Sequence, residues 1–525
     1  MIRCPAGDGG TARSRSIRLL TAMLMLLSPE RGRAQSRCTT TVLDPAIWRM
    51  AIVVSDSGNG EERPVDAVAC RTGRRSRVHG QRVRLVFPTV RTVASGGVPD
   101  SRQDGALWAG RGLSLLARTG LSLDVGPLHA AVVPEVWWTE NRPYQVPRGA
   151  DTTRSAWASS LYTGRHSLDL PGRPGDQRLA VVTPGQSAVW ASIGSWGVGI
   201  SSSNVWWGPG LREGLVLGPG AAGIPRVFLR TDEPLRTPIG LWRAEWLAGT
   251  LAESRFFDRV PGNDRRRLSA VRVEWQSDAH PQFSLGMTRA VQLRGGESHL
   301  RDALSSIWRS APGSDQLVGF SAQYATPRMR AGVEVATPGL PPGLRSLLSA
   351  PAGDVGYQLA VERRMTDGRR DWIVEAALVN TDPGLNLRDR PGRDFYAGNR
   401  VPQGWTHHGQ LLGSGSGPGG TLQWLALDRA TPRWSVGMFA ERIRWNNEAL
   451  TRSYLPASFR HDVTVRGGTR ARLRTALGGH PYLIMLDAAW GTRLNYLFQN
   501  RSLVGGRGAV DVRVPQLQLI LSPVP

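Results

Sequence analysis

Ser201-Ser202-Ser203-Asn204-Val205-Trp206-Trp207-Gly208-Pro209-Gly210 is the stretch whose reading decides the fold. Two adjacent tryptophans closed by Gly-Pro-Gly cannot continue a regular strand, because proline lacks a ladder donor and the flanking glycines favour a sharp bend. The segment therefore reads as a turn. Just upstream, Val189 to Ile200 reads as two short strands around Gly194-Ser195. Leu168 to Gly175 and Pro184-Gly185-Gln186-Ser187 read as further turns.

Working outward, short alternating segments separated by turn residues recur from Gly112 onward, as in an antiparallel meander. In Ser269 to Gln276, Val271, Val273 and Trp275 fall on one face and Arg272, Glu274 and Gln276 on the other. Tyr357 to Met365 and Asp371 to Leu378 flank Asp367-Gly368, a tight-hairpin dipeptide. Thr421 to Asp428 and Arg433 to Arg442 repeat the arrangement around Ala430-Thr431-Pro432. With 62 Gly and 36 Pro and no collagen-like period, turns are frequent and long helices few. After the N-terminus no apolar run approaches the roughly 20 residues of a membrane-spanning helix. Strands of roughly 10 residues that are apolar on alternate positions span as a closed barrel while keeping mean hydropathy low. From Asp104 to the end, at roughly 20 to 25 residues per strand and connection, some 16 to 20 strands are expected. Asn141 to Trp157, Gly218 to Pro238 and Asn380 to Gly420 are the candidate external loops or inward plugs. In the last strand Leu517, Leu519 and Leu521 are expected to face outward after the interruption at Pro515.

The order of three turns, Asp169-Leu170-Pro171, Pro184-Gly185-Gln186-Ser187 and Asn204-Val205-Trp206-Trp207-Gly208-Pro209-Gly210, resembles that of the Wzi family of capsule-assembly outer-membrane proteins. Asp104-Gly105-Ala106-Leu107-Trp108-Ala109-Gly110-Arg111-Gly112 and Val133-Pro134-Glu135 are similar to that family's entry into its first strands. Gly404-Trp405-Thr406-His407-His408-Gly409-Gln410-Leu411-Leu412-Gly413 is similar to a late segment. The resemblance runs from about Asp104 to the C-terminus. It implies an all-β fold, a large antiparallel transmembrane β-barrel of about 18 strands over 105–525. It also implies an outer-membrane location and a lectin-like, non-catalytic role with capsular polysaccharide or exopolysaccharide. A small helical element usual near residues 35–104 in such relatives has no amphipathic counterpart here.

Residues 1–34 read as a signal peptide. Arg13, Arg15 and Arg18 precede the apolar Leu19 to Leu27, and Gly32-Arg33-Ala34 offers small residues for cleavage. Residues 35–104 then form a small N-terminal periplasmic segment. It carries Cys38 and Cys70, which read as a disulfide in an oxidising compartment or, with His79, as an incomplete zinc set. All 65 basic residues are arginine, and the net charge is +23. They either line loops and lumen or attract acidic polysaccharide and anionic lipid head groups such as lipopolysaccharide. Nucleic acid is disfavoured, since no basic helix, zinc spacing or RNP-like motif is present. A monomer is expected.

Tryptophans within strand-like segments, such as Trp137, Trp138, Trp242, Trp246, Trp275, Trp372 and Trp424, read as interface girdle or core. Those at turns stack on sugars or staple the turn to the wall, which makes Asn204, Trp206, Trp207, Trp405 and His408 the candidate glycan contacts. Glu135, Asp169, Glu245 and Glu253 offer carboxylates, but no spacing pairs them as a glycosidase requires. His407-His408 would share a metal ion only on a bent segment. Ser195 lacks a nucleophile elbow, and Gly413 to Gly420 lacks the Lys-Ser/Thr of a phosphate loop. No cofactor is expected. Two further readings stay open, a channel for anionic solutes and an exported soluble glycan-processing enzyme of propeller or sandwich fold.

Overall fold

The computed structural model describes residues 75–78, 81–102, 104–147, 154–295, 313–339, 355–366, 371–382, 395–398, 400–447, 449, 461–496 and 510–524. The leader 1–34 and the Cys38–Cys70 pair lie outside the described residues. The barrel's long strands begin with β1 (Gln81–Ser95) and β2 (Gly112–Val125). Two strands broken midway follow, β3 (Leu128–Val132 and Glu135–Thr139) and β4 (Leu179–Thr183 and Ala188–Ile193). Next come β5 (Trp196–Ser201), β6 (Arg226–Thr231 and Leu235–Thr237), β7 (Gly240–Ala252) and β8 (Arg265–Gln276). The meander continues through β9 (Phe283–Arg294), β10 (Asp315–Ala325), β11 (Met329–Thr337), β12 (Gly356–Thr366) and β13 (Asp371–Asn380). It ends with β14 (Thr421–Ala430), β15 (Trp434–Trp445), β16 (Asp462–Leu477), β17 (His480–Tyr496) and β18 (Val510–Arg513 and Gln516–Pro523).

Each strand pairs antiparallel with the next, and β18 returns to β1 through Val90↔Leu521 to Ser95↔Gln516. Eighteen strands thus close into a barrel with no free lateral edge at that seam. The strands expected to flank Asp367-Gly368 and Ala430-Thr431-Pro432 are the β12–β13 and β14–β15 pairs, with Asp367-Gly368 itself outside the described residues. On the outer face alternate positions expose Leu285 and Met287, Leu425 and Leu427, Val436 and Met438, and Leu517 and Leu519. The intervening residues are buried and polar, as with Gln292, Gln358, Glu375 and Asp428. That sorting is the period-2 signature of a wall between lipid and interior. One rim carries tight turns at 126–127, 194–195 and 478–479, whereas at the opposite ends the strands are joined by longer segments such as 253–264. Short turns on the periplasmic side and long loops outside are the rule for such barrels.

Three expectations change. The described wall starts with a short strand, Arg75–Val78, that pairs back onto Gln81–Arg84 of β1, inside the 35–104 segment assigned to the periplasm. Pro88 sits at a register shift between Val86 and Thr89, which hides the alternation of β1 in the sequence. Pro184-Gly185-Gln186-Ser187 is not a rim turn but a bulge halfway up β4, facing the Val133-Pro134 break in β3. The Gln186 amide donates to Val133 O at 2.9 Å and the Val133 amide to Ser187 Oγ at 2.9 Å. Gly185 has a φ of +58°, and a Cβ there would lie 2.4 Å from Val133 O. Of the expected Gly218 to Pro238 loop, the portion before Arg226 is irregular and the two halves of β6 take up most of the rest.

The interior is not the wet lumen that strand alternation alone implies. Leu168, Leu215, Val216, Leu217, Leu247 and Leu268 form one apolar cluster inside the cylinder, assembled from inward-folded connections and the wall. Around it the arginines are paired. Glu441 accepts from Arg466 Nε at 2.5 Å and Arg102 Nη2 at 3.1 Å, and Asp100 lies 2.8 Å from Arg466 Nη2. Arg470 bridges Glu375 and Asp428. Removing one member of such a cluster leaves buried charge uncompensated. Glu441→Gln is therefore expected to destabilise the barrel by about 3 kcal/mol, read from urea unfolding by tryptophan fluorescence. An unshifted midpoint would refute the assignment.

Candidate functional site

β5 and β6 are short, and the chain between them, 202–225, does not turn at a rim. It leaves the wall at Ser201, opposite Ala188 of β4 and Arg226 of β6, and crosses the interior. The start is held by the Ser202 amide donating to Ser187 O at 2.8 Å and by Arg226 Nη2 donating to Ser203 Oγ at 3.1 Å. Asn204 is then clamped from both sides. Its amide N–H donates to Gln186 Oε1 at 3.1 Å, its Oδ1 accepts from Gln186 Nε2 at 2.7 Å, and its Nδ2 donates to Ala221 O at 2.8 Å. Trp207 closes the strap on itself through its amide to Leu217 O at 3.0 Å, and reaches β7 through Nε1 to Glu245 Oε2 at 3.2 Å.

Past the tryptophans the strap arrives at the far wall. Gly208 has a φ of +121°, and a Cβ there would meet the Glu334 carboxylate of β11 at 2.6 Å, so glycine is required by both backbone and space. Glu334 also accepts from the Leu215 amide at 3.3 Å and from Gln358 Nε2 of β12. The expected turn is therefore a septum spanning the barrel.

A second layer, 395–420, lies on this septum. Tyr396 OH donates to Leu215 O at 2.8 Å and accepts from the Ser414 amide at 2.9 Å. Trp405 Nε1 donates to Val216 O at 2.7 Å, and the Gly218 amide to Leu412 O at 2.5 Å. A hairpin of Thr406–His407 and Gln410–Leu411 stitches the layer to the top of β7. There His407 Nδ1 accepts from the Ala252 amide at 3.0 Å, and the His408 amide donates to Ala252 O at 2.8 Å. Arg266 of β8 anchors it from the side, donating to Gly404 O at 2.8 Å and Thr406 O at 2.9 Å.

The five candidate glycan contacts thus divide. Trp207 and Trp405 are only 2% and 3% exposed and Asn204 7%, with their polar atoms spent on the septum. These three are internal staples. Trp206 is half-buried, and His408 is exposed with a φ of +51°. The segment at His407-His408 is bent, but the His407 Nδ1 lone pair is already taken by a backbone amide. Among the described residues no group of three or more His, Cys, Asp or Glu is placed to hold a metal ion. Of the carboxylates, Glu135 is engaged by Arg118 and Gln186, Glu245 by Trp207, Asp169 by Ser254 and Glu253 by Gln403.

Sequence reasoning missed Glu334, Gln358, Tyr396 and Arg266, which seat the septum. Their only signal would have been polar side chains on inward positions of otherwise unremarkable strands. The strand tryptophans behave as read. Trp137 and Trp424 are buried, while the half-buried Trp242 and Trp275 pair across β7 and β8 near the short-turn rim. There their indole N–H groups donate to Thr237 Oγ1 and Ile239 O.

Residues 183–424 match the family model of the capsule assembly protein Wzi. No curated protein matches the chain. Among solved structures, the Wzi barrel of Escherichia coli is similar with a TM-score of 0.54 at 12% identity. The match covers 82% of this chain and 83% of that one, which is described as a carbohydrate-binding outer-membrane protein involved in group 1 capsule assembly. OccAB2 of Acinetobacter baumannii is similar at a TM-score of 0.42 and 10% identity, over 85% of this chain and 99% of that one. A BenF-like porin of Pseudomonas fluorescens follows at 0.40 and 8%, over 84% and 98%.

The outer layer carries a pH dependence. Burial pushes the Asp169 carboxyl up to about 6, against the hydrogen bonds from Ser254. Burial, with Asp258 and Asp169 nearby, pushes Glu253 up to about 7 in spite of Gln403. Both folded values lie above the ordinary carboxylate range, so the folded state holds protons that the unfolded chain has released. Their contribution is complete below about pH 4 and is lost as pH rises through the folded values of these groups. Thermal unfolding followed by tryptophan fluorescence should show this fall, and Glu253→Gln should flatten it. An equal slope in the variant would count against it.

Proposed function

We propose, for a chain that belongs through residues 183–424 to the Wzi family of capsule-assembly outer-membrane proteins, that it is a non-catalytic surface anchor. It holds capsular polysaccharide or exopolysaccharide on its external rim. The observation that carries this reading is the septum stitched across the barrel by Asn204, Trp207, Tyr396 and Trp405. A cylinder crossed by a packed, hydrogen-bonded partition serves as a rigid platform for its loops rather than as a conduit.

The rim has the chemistry for an acidic polymer. Arg111, Arg142, Arg255, Arg259 and Arg400 are exposed on the long connections, and His408 is exposed in the inner hairpin. Guanidinium groups fork onto carboxylates and phosphates, so each contact is individually weak and avidity comes from repeated units of one chain. Of the residues singled out in the sequence, His408 and Trp206 are the contacts this reading keeps. Asn204, Trp207 and Trp405 act on the polymer only by fixing the platform. A cleaved leader at 1–34, a Cys38–Cys70 disulfide and a monomeric state complete the proposal, and it requires no cofactor. Lipopolysaccharide is the neighbouring lipid partner.

The test measures cell-bound polysaccharide at constant barrel level. Arg255→Glu with Arg259→Glu, and His408→Ala, should release polymer into the medium, whereas Trp405→Ala should lower the amount of folded barrel itself. Full retention in the arginine and histidine variants removes the rim as the contact. In planar bilayers the intact protein should pass little steady current. Excision of 206–222 should produce open steps, and comparable current from the intact chain would restore the channel reading.

A further inference from the structure

The septum leaves a mark on the wall. Because β5 ends at Ser201 and β6 begins at Arg226, both stop at the level of Ala188, halfway up β4. Above that level the Leu179–Thr183 half of β4 pairs with β3 alone, and Thr250 to Ala252 of β7 pair with β8 alone. Two strands are missing from the outer half of the cylinder. Three strand spacings, about 14 Å, then separate β4 from β7.

On the β7 bank the backbone is satisfied by protein. The Thr250 amide donates to Pro225 O, the Ala252 amide to His407, and Ala252 O accepts from the His408 amide. On the β4 bank it is not. The Glu140 amide donates to Leu113 O, so in this antiparallel ladder Glu135, Trp137 and Thr139 turn their backbone groups toward β4. They pair with Thr183, Val181 and Leu179. The N–H and C=O groups of Ala180 and Val182 therefore point into the opening, and among the described residues nothing hydrogen-bonds them. This stretch belongs to the lipid-facing belt: Val182 is 72% exposed, the highest value among the large hydrophobic residues of the described chain, and its pair partner Val136 is 50% exposed. An open sheet edge at hydrocarbon depth is costly unless something with polar groups covers it.

The surroundings say what covers it. Behind the edge, Leu179, Val181, Trp108 and Ala222 all pack against the buried cluster of Leu107, Leu116 and Trp137, and Trp108 meets Phe256 edge-on at 6.2 Å, so the back of the opening is apolar and aromatic. On the far bank the outward positions of β8 run from Trp275, Val273 and Val271 near the short-turn rim, through Ser269, to Arg267 and Arg265. Arg265 and Arg267 are exposed and, among the described residues, have no carboxylate partner. Arg255 is exposed just beyond the end of β7. Acyl-length apolar wall, unpaired amides and a cationic lip thus succeed one another from hydrocarbon to head-group level.

The geometry points to a lateral binding site for a phosphorylated, acylated glycolipid of the outer leaflet, of the lipid A type. Its chains lie along Val136 and Val182, its sugar hydroxyls and amides complete the edge at Ala180 and Val182, and its phosphates meet Arg265 and Arg267. Charge complementarity and the depth of the edge select this ligand over a free polysaccharide, which has no chains to occupy the belt. The inference uses the outer-membrane setting, but it does not depend on polymer binding at the rim.

A photo-crosslinking benzoylphenylalanine at position 182 of the full-length protein, activated in outer membranes, should capture lipopolysaccharide. The same probe at Leu359 or Val465, outward positions in the long-loop half of the wall across the barrel, should capture it at least about fivefold less. With purified protein in detergent, Arg265→Glu together with Arg267→Glu should weaken lipid A binding by about tenfold while heat-modifiable mobility stays normal. Dephosphorylated lipid A should bind the wild type as weakly as intact lipid A binds that variant, and inorganic phosphate should not compete. Equal capture at all three positions, a protein–protein adduct at 182, unchanged lipid A affinity in the charge-reversed variant, or full competition by inorganic phosphate would each overturn the site.

Discussion

Backbone hydrogen bonding away from water is the constraint from which this structure follows. A chain stays at hydrocarbon depth as strands only if its amides find one another, and the return of β18 to β1 from Val90↔Leu521 to Ser95↔Gln516 completes that pairing everywhere but at the Leu179–Thr183 edge of β4. Once the ladder is closed, side chains sort by parity. Leucines, valines and methionines go out, while glutamines, carboxylates and arginines go in. The absence of lysine fits this interior, since guanidinium forks bridge two carboxylates at once, as Arg470 does between Glu375 and Asp428.

Closure also changes what the inside is. Sheltered by the wall, the segments 202–225 and 395–420 collapse as a small globular core does, with leucines at the centre, the Trp405 and Tyr396 donors satisfied by backbone carbonyls, Trp207 by the Glu245 carboxylate, and ion pairs around the edge. The functional consequence is a division of labour. The wall faces lipid, the core makes the cylinder stiff, and the outer loops are free to carry charge to the surface.

The sequence made some of this legible and hid the rest for physical reasons. Alternation in Ser269 to Gln276 and the turn chemistry at Ala430-Thr431-Pro432 report local geometry, and these elements are as read, as is the pairing of the strands that flank Asp367-Gly368. The Gly208-Pro209-Gly210 signal correctly says that the ladder ends, but glycine and proline carry no information about where the chain goes next. A rim turn and an inward strap share the same local chemistry. For the same reason Trp207 and Trp405 read equally well as sugar platforms or as staples, and only the positions of Glu245 and the Val216 carbonyl decide between them. Glu334 and Tyr396 gave no signal because their roles are set by partners more than a hundred residues away.

The placement of the septum between β5 and β6 constrains how the molecule can be made. A strap of two dozen residues tethered at both ends to neighbouring strands, and crossing to β11 and β12, is enclosed only if the last strands arrive after it has collapsed. The ends that must meet, β1 and β18, are separated by more than four hundred residues and so bear the largest loop-closure cost in the chain. The junction between the first and last strands is therefore where the ordering cost of enclosing the strap is concentrated.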